Sequence, residues 1–308
     1  MRGGAGHPRV ALVTAEVARE VDDDLPPLIA ALEALGVEVE APAWDDPGVD
    51  WSGYDVAVVR STWDYTARHG EFLAWADDVG ARTRLLNPPA VLRWNSDKRY
   101  LGDLAAAGIP VVPTTFLPEP ADLPDPGEVD QVVKPTVSAG SKDTARFRPS
   151  QRGAARELAE RIWAGGRAVM VQPYLSSVDR DGETALIHVD GGLSHAIRKG
   201  PLLRPDEPPT RALFAAEHIS PTSASAEHRE LARATLAAIA GIPAVTEAAG
   251  GATPLAYARV DVVRDEDGRL AVLEVELCEP SLFLATDPSA ADRFARVIAV
   301  RAGGVGPS

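Results

Sequence analysis

Two short runs near the C-terminal end carry four charged side chains at a spacing that sets them against each other. They are Tyr257-Ala-Arg-Val-Asp-Val-Val-Arg264 and Arg269-Leu-Ala-Val-Leu-Glu-Val-Glu276, joined by Asp-Glu-Asp-Gly. Both are rich in β-branched residues, and Asp267-Gly268 is a strong signal for a hairpin with a two-residue loop. That loop makes Glu266 face Arg269. Counting outward then places Asp261 opposite Glu274 and Arg259 opposite Glu276. Residues two apart on a strand share a face, so all four point the same way. Directly opposed carboxylates have Cβ atoms roughly 5 Å apart and repel each other. A hard divalent cation relieves that repulsion, and Mg2+ is commonly held by one or two carboxylates plus substrate phosphates. The expected metal set is Asp261, Glu274 and Glu276. A solvated hairpin face is the plainer alternative, and the register, with Arg259 in the same row, speaks against it.

Other chemistry-bearing groups are weaker singly. Lys134 ends a strand and opens Pro-Thr-Val-Ser138-Ala-Gly140-Ser141-Lys142, a small-residue loop able to offer backbone N–H groups to phosphates beside a lysine charge. It equally reads as a surface loop. Lys98 stands early in the next helix pattern upstream, so two lysines could straddle a triphosphate; alone it is a solvated helix-face lysine. Gln172-Pro-Tyr174-Leu175 follows a buried strand and offers an apolar platform with a side-chain amide, suited to an adenine ring. His195-Ala-Ile-Arg198-Lys199-Gly ends a strand. Arg198 and Lys199 could bind an acyl phosphate, and His195 could act as a general base or be a structural histidine. Neither a Walker A loop, nor a dinucleotide-binding Gly-x-Gly-x-x-Gly, nor a Gly-x-Ser-x-Gly elbow occurs.

The elements that must carry these groups divide in two. Residues 9–95 read as β-α-β units: strands at Arg9–Thr14, Val37–Ala41 and Asp55–Arg60, a helix from Leu25 to Leu35 stopped by Gly36, a helix near 70–79 and a strand near Leu85. Strands alternating with helices imply a parallel sheet, whose ligands gather beyond the carboxyl ends of its strands. Arg60-Ser-Thr-Trp-Asp64 stands there, either as a substrate-facing loop or as an ordinary turn. Downstream, Ser96 is placed to cap a helix running to Ala107. Strands follow near 111–116, 131–134 and 168–172, with an amphipathic helix over 150–163. From 175 the chain is rich in strands, at 184–189, 193–198 and the hairpin, with helices at 226–239 and 289–300. The Pro-rich 201–209 reads as a mobile loop and 303–308 as a disordered tail.

The 308 residues suffice for about two domains, and the formal charge of −14 disfavours nucleic acid and anionic membrane as partners. One cysteine, Cys278, excludes an intrachain disulfide and reads as a buried structural thiol. No apolar run approaches the ~20 residues of a membrane span, and no secretory pattern opens the chain, so a cytoplasmic location is expected.

In this order the segments resemble the ATP-grasp superfamily, in its glutathione-synthetase-like and ribosomal-protein glutamate-ligase-like branch. Ser-Asp-Lys98, Val-Val-Lys134-Pro, Gln172-Pro-Tyr-Leu175, Gly182-Glu183, Arg259-Val-Asp261 and Glu274-Val-Glu276 carry the likeness, from about residue 9 to 300. Glu276 departs from the family's usual asparagine, and Phe214-Ala-Ala-Glu-His-Ile-Ser-Pro221 replaces its Arg-Ser-Asn substrate loop. Arg-Ser-Thr-Trp-Asp-Tyr, Ser-His-Ala-Ile-Arg-Lys-Gly-Pro and Glu-Pro-Ser-Leu-Phe are similar to an actinobacterial-type subgroup. That subgroup includes the cyclo-ligase that forms cycloserine from an O-ureido-serine.

The resemblance implies an α/β and α+β chain with the ATP-grasp fold. It would comprise a pre-ATP-grasp parallel-sheet domain (1–95), a lid subdomain (96–174) and a metal- and ATP-binding subdomain (175–302). It implies an ADP-forming ligase joining a small amino-acid-like carboxylate to an amine, or closing a ring, through an acyl phosphate. The cofactors implied are ATP and one or two Mg2+ ions, with Mn2+ as a substitute. Lys98 and Lys134 would hold the α- and β-phosphates, Ser138, Gly140 and Ser141 the closing loop, Gln172, Tyr174 and Leu175 the adenine, and Glu183 the ribose. Arg259, aided by Arg198 and Lys199, would neutralise the transferring phosphoryl group. A homodimer is the base-rate expectation. The competing readings are a small-molecule kinase using the same metal site and a nonenzymatic nucleotide-binding module. A dinucleotide-dependent oxidoreductase lacks its glycine fingerprint.

Overall fold

Arg9–Thr14 (β1) has no charged side chain after Arg9, and it is buried at the centre of the first sheet. The computed structural model describes residues 7–209, 217–246 and 255–303. Helix α1 (Leu25–Ala34), β2 (Glu38–Glu40), β3 (Val56–Ser61), α2 (His69–Arg82), β4 (Arg84–Leu86) and α3 (Pro89–Asn95) complete the N-terminal unit. The strand order is β2-β1-β3-β4, all parallel, as the alternation of strands and helices requires. Helix α2 covers one face through Phe72, Ala76 and Val79, beside Trp44, Trp51 and Trp75.

Helix α4 (Tyr100–Ala106) leads to β5 (Thr115–Leu117), β6 (Gln131–Pro135), β7 (Ala145–Phe147), α5 (Arg152–Ala164) and β8 (Val169–Pro173). These strands form a small antiparallel sheet, β5-β8-β6-β7, backed by Ala155, Leu158, Ala159 and Ile162 of α5. Helix α6 (Ser177–Asp181), β9 (Glu183–Val189), β10 (Gly192–Lys199), β11 (Ile219–Thr222), α7 (Ala226–Ile239), α8 (Pro243–Thr246), β12 (Tyr257–Arg264), β13 (Leu270–Glu276) and α9 (Ala290–Arg301) follow. Their sheet runs β11-β10-β9-β12-β13. None of the described helices is long and apolar enough to cross a membrane.

Three sequence expectations need correction. Ser96 is no N-cap: it closes α3, an element the sequence reading missed, and Lys98 sits in the turn before α4 rather than on a helix. Pro88 and Pro89 start α3 there, Pro89 with its ring pre-set for a first helical turn. Second, the hairpin loop has three residues, Glu266-Asp267-Gly268. Asp265 N–H donates to Arg269 O at 2.8 Å, and Gly268 takes φ +80°, which a side chain would resist. Third, β13 bulges at Leu273, between the pairs Val262–Val272 and Asp261–Glu274. The bulge undoes the one-residue shift of the longer loop, so the expected pairs Asp261–Glu274 and Arg259–Glu276 do form. The short strands β7 and β11 were also missed. Of the expected tail, 304–308 lies outside the described residues, as do 214–216 of the loop that replaces the family's substrate segment.

The core crosses the domain boundaries read from sequence. Leu12 and Val58 pack in one cluster with Ile187, Ile197, Tyr257 and Phe294 of α9. Polar groups stitch the same seam. Asn87 Nδ2 donates to Tyr257 O (3.0 Å) and Leu277 O (2.9 Å), and its Oδ1 accepts from Ala256 N–H (2.8 Å). The Tyr257 hydroxyl lies within hydrogen-bonding distance of the Val59, Leu86 and Cys278 carbonyls. Asn87→Ala would strand two buried carbonyls and a buried N–H, so it is expected to cost about 3 kcal/mol or more. A denaturation midpoint equal to wild type would refute that role.

Candidate active site

The three sheets enclose a cleft of about 480 Å³. The strand ends and turns that carry the charged motifs all open onto it. Lys98 arrives from the turn before α4, fixed by its own N–H donating to Thr136 O at 2.8 Å. Its Nζ donates to Ser138 O (2.7 Å) and Ser138 Oγ (3.1 Å) and pairs with Glu274 Oε1 (3.0 Å). One ammonium thus ties the small-residue loop to the metal-type hairpin. Lys134 on β6 also lines the cleft and is 9 % exposed. Among the described residues its ammonium has no hydrogen-bond or ion-pair partner, and burial lowers its pKa in spite of Glu274. A desolvated, unpaired cation at a cleft wall is a strong anion receiver.

Arg259 and Asp261 sit on one face of β12. Arg259 donates to Asp261 through Nε (2.8 Å) and Nη2 (3.0 Å), pairs with Glu276, and donates to Ser281 O through Nη1 (3.1 Å). Lys199 Nζ donates to Asp261 Oδ2 at 3.0 Å, with Glu183 and Glu217 at 3.7 and 3.6 Å. Gly182 makes this approach fit: a Cβ there would stand 2.3 Å from Lys199 O. Burial opposes the Asp261 charge, yet Arg259 and Lys199 outweigh it and hold the carboxyl at about 2. Burial likewise opposes Glu274, which Lys98 and Lys134 hold below the usual range. Glu276 goes the other way. Burial, with Glu274 and Asp261 close by, pushes it to about 8 in spite of Arg259.

The far end of the cleft is apolar. Val112, Val132, Leu175, Val178, Val263 and Leu273 line it. Tyr174 is fixed there by its hydroxyl donating to Asp179 (2.7 Å) and by the Arg146 guanidinium 3.5 Å from its ring centre. Gln172 also lines the wall, its amide donating to Thr114 Oγ1 at 2.9 Å. Ser138, Gly140, Ser141 and Glu183 complete the sequence-derived residues that face the cleft.

Three of those residues do not. Arg198 points away from Lys199, as alternation on β10 demands, and donates to Asp181 O and Arg180 O at the end of α6. His195 shares the face of Lys199 but lies four residues along, where Nε2 meets Leu282 O at 2.8 Å and Nδ1 meets Ser194 Oγ at 3.0 Å. Both ring nitrogens are engaged and burial lowers its pKa, so it staples the turn over the cleft and is placed for no base chemistry. Asp261 is 1 % exposed and both its oxygens are taken, so it lies behind the wall.

Sequence reasoning missed other wall groups. Glu279 lines the cleft, 8 % exposed, and burial pushes it to about 7. Its signal was a carboxylate three residues beyond Glu276. Asp22, Asp23 and Asp24 line it after β1, where the rule about strand ends applies as well as it does after β3. Of the 60–64 loop, Trp63 alone reaches the cleft, and its Nε1 donates to Glu279 O at 3.0 Å. Cys278 is buried, its thiol pushed up by burial and directed at Leu92 O, which is a structural position.

Among the described residues no three His, Cys, Asp or Glu side chains stand together as a ready-made metal cage. The donor chemistry nevertheless fits Mg2+. Glu274 and Glu276 face the cleft two residues apart on β13, and the raised Glu276 marks negative charge crowded beyond what Arg259 offsets. Two wall carboxylates plus nucleotide phosphates are the usual Mg2+ complement.

Asp261→Asn would remove the carboxylate that Arg259 and Lys199 share in the interior, at a cost of about 3 kcal/mol. The folded carboxyl titrates below its ordinary 3.8, so its contribution is complete above that value and lost as the pH falls toward about 2. Acid-unfolding curves of wild type and variant should converge in that window; parallel curves would remove Asp261 from the charge cluster.

Residues 10–87 match the family described as the N-terminal domain of D-cycloserine synthetase DcsG. The cycloserine biosynthesis protein DcsG of Streptomyces lavendulae is 41% identical over 302 residues, 95% of this chain and 98% of that protein. A crystal structure of D-cycloserine synthetase DcsG, also 41% identical, superposes with a TM-score of 0.84 over 96% of this chain and 99% of that one. D-alanine–D-alanine ligase from Bacillus anthracis complexed with ATP shares the fold at 17% identity, with a TM-score of 0.66 over 96% of this chain and 97% of that one. The chain belongs to the family of D-cycloserine synthetase DcsG and has the ATP-grasp fold.

Proposed function

We propose that this ligase activates the carboxylate of a small amino-acid-like molecule as an acyl phosphate and closes a ring onto a nitrogen of the same molecule. The observation that carries it is Lys134, an unpaired, desolvated cation on the cleft wall between an apolar slot and a carboxylate pair. Ring closure is favoured over joining two molecules by full-length likeness to a protein named for making a cyclic product. The purine would lie in the slot of Val132, Leu175, Val178 and Val263, with Glu183 toward the ribose. Lys134 and Lys98 would take the α- and β-phosphates, and the loop at Ser138, Gly140 and Ser141 would cover them and exclude water.

Glu274 and Glu276 are the carboxylates that would hold Mg2+, while Asp261 behind the wall keeps Arg259 and Lys199 in place. When bound, the ion would supply charge neutralisation to the nucleotide phosphates. A substrate carboxylate oxygen attacks the γ-phosphorus and ADP leaves. The nitrogen then attacks the acyl carbon, phosphate leaves, and a C–N bond remains. Arg259, rigid on Asp261 and Ser281 O, offsets negative charge on the transferring group, and Lys199 lies beside it.

The test is ADP release with O-ureidoserine, mass spectrometry of the product, and hydroxylamine trapping of the acyl phosphate. A stable phosphorylated product would favour a kinase, and no ADP release would reject the ligase assignment for that substrate. Glu274→Gln is expected to abolish turnover with the thermal midpoint retained. Lys134→Ala should weaken ATP binding in calorimetry by on the order of tenfold or more, a lost charge-assisted contact. Unchanged affinity would take Lys134 out of the site. Since Glu276 titrates at about 8, loading Mg2+ with an ATP analogue at pH 7 should release a proton, read as heat that varies with buffer ionisation enthalpy. Glu276→Gln should lose that release.

A further inference from the structure

Strand β13 ends its sheet, so one edge of its backbone faces no further strand. Such an edge must find other partners or water. Here its outward groups are met by one stretch of chain, residues 95–112. Val272 is met by backbone: its N–H donates to Pro110 O at 2.8 Å, and its carbonyl accepts from Val112 N–H at 3.0 Å. Beyond the bulge at Leu273 the partners become side chains. Asn95 Nδ2 donates to Val275 O (2.8 Å), and Asn95 Oδ1 accepts from Leu277 N–H (2.7 Å). The Tyr100 hydroxyl donates to the same Val275 O (2.8 Å) and accepts from Val275 N–H (2.9 Å). Each side chain thus supplies one donor and one acceptor, as a peptide group of a neighbouring strand would.

Glu274 and Glu276 alternate with these anchored positions. Val275 packs in the core cluster that holds Tyr100 and Leu277, and its two neighbours turn their carboxylates into the cleft. Both anchors are buried and held in their turn. The Tyr100 ring lies 5.1 Å from that of Trp94, whose Nε1 donates to Asp103 Oδ2 at 2.8 Å. Lys98 stands between the two anchors in sequence and pairs with Glu274 at 3.0 Å. The stretch that supplies the lysine therefore also fixes the strand that carries the carboxylates.

We propose that Asn95 and Tyr100 are positioning residues for the divalent cation: by gripping β13 at Val275 and Leu277 they set the separation and direction of the Glu274 and Glu276 carboxylates. The proposal rests on the ligase reading of the cleft and deepens it. Mg2+ demands near-ideal octahedral geometry, so it tolerates little displacement of its ligands. Groups that orient those ligands govern metal affinity strongly. This grip can be removed without breaking a strand pair, because β13 keeps its ladder to β12 and its backbone bonds at Val272. Loosening it should therefore show in metal binding before it shows in the fold.

The test is calorimetric binding of ADP to the full chain, first in EDTA and then in excess Mg2+, for wild type, Tyr100→Phe and Asn95→Ala. Wild type should gain affinity when Mg2+ replaces EDTA. Both variants should bind ADP in EDTA within about twofold of wild type, and should lose on the order of tenfold from the gain that Mg2+ brings. Tyr100→Phe keeps the ring against Trp94, so it carries the test if Asn95→Ala does not fold. Leu28→Ala, which opens a cavity in the separate core cluster under α1, should lower the thermal midpoint and keep the whole gain. A wild-type gain in Tyr100→Phe, an equal loss with and without Mg2+, or a gain lost in Leu28→Ala as well would each overturn the proposal and leave the ligase reading standing. An ADP affinity of wild type that is indifferent to Mg2+ would instead sink that reading, and the proposal with it.

Discussion

Asp261 is an ionised carboxylate buried between two cations, and the charged wall of the cleft is organised around that arrangement. Removing three charges from water is expensive, and mutual attraction repays it only with close geometry. The geometry comes from backbone: Arg259 and Asp261 are two apart on β12, and Lys199 reaches across β9 from β10. The outcome is an Arg259 guanidinium that is aimed without freedom to turn. Fixed charge is what phosphoryl and acyl transfer require, since dipoles already in place need no reorganisation as charge develops.

The second constraint is how the N-terminal unit and β10 together hold the turn at 279–284. Arg60, Trp63, Asp24 and His195 each bind its backbone from a different element. The turn roofs one end of the cleft and carries Glu279, Ser281 and Phe283 into it. Helix α9 then returns to pack on α1, so both chain ends lock the same joint. The end of the cleft under this turn is therefore shared between distant segments, whereas the apolar end, proposed above for the nucleotide, is lined from β6, β8, β12 and β13. On the proposed reading, this division lets one nucleotide site serve many acceptors, because the acceptor end is composed by elements free to vary.

The hairpin illustrates how far local pattern reaches. Alternation and the Asp-Gly turn located both strands and paired Arg259 with Glu276 correctly. They did so although the loop is one residue longer than expected, because the bulge at Leu273 restored the register. Nothing local signals that bulge. The helix at Pro89–Asn95 was missed since a seven-residue segment has too few turns for periodicity to stand out, and Ser96 was then misread as a start. His195 and Arg198 carried the right chemistry for a site, yet their fate was set by β10 alternation and by a turn more than eighty residues away.

The sequence by itself determined the parallel N-terminal sheet, the ATP-grasp class and most of the residues that line the cleft, because periodicity and short motifs are properties of neighbours along the chain. Only the tertiary structure decided which charges pair and which stay free. It buried Asp261 under Arg259 and Lys199, left the Lys134 ammonium unpaired, and brought Asp22 and Glu279 to one cleft from opposite ends of the chain. Desolvation and Coulomb energy depend on distance through space, and sequence separation carries no record of it.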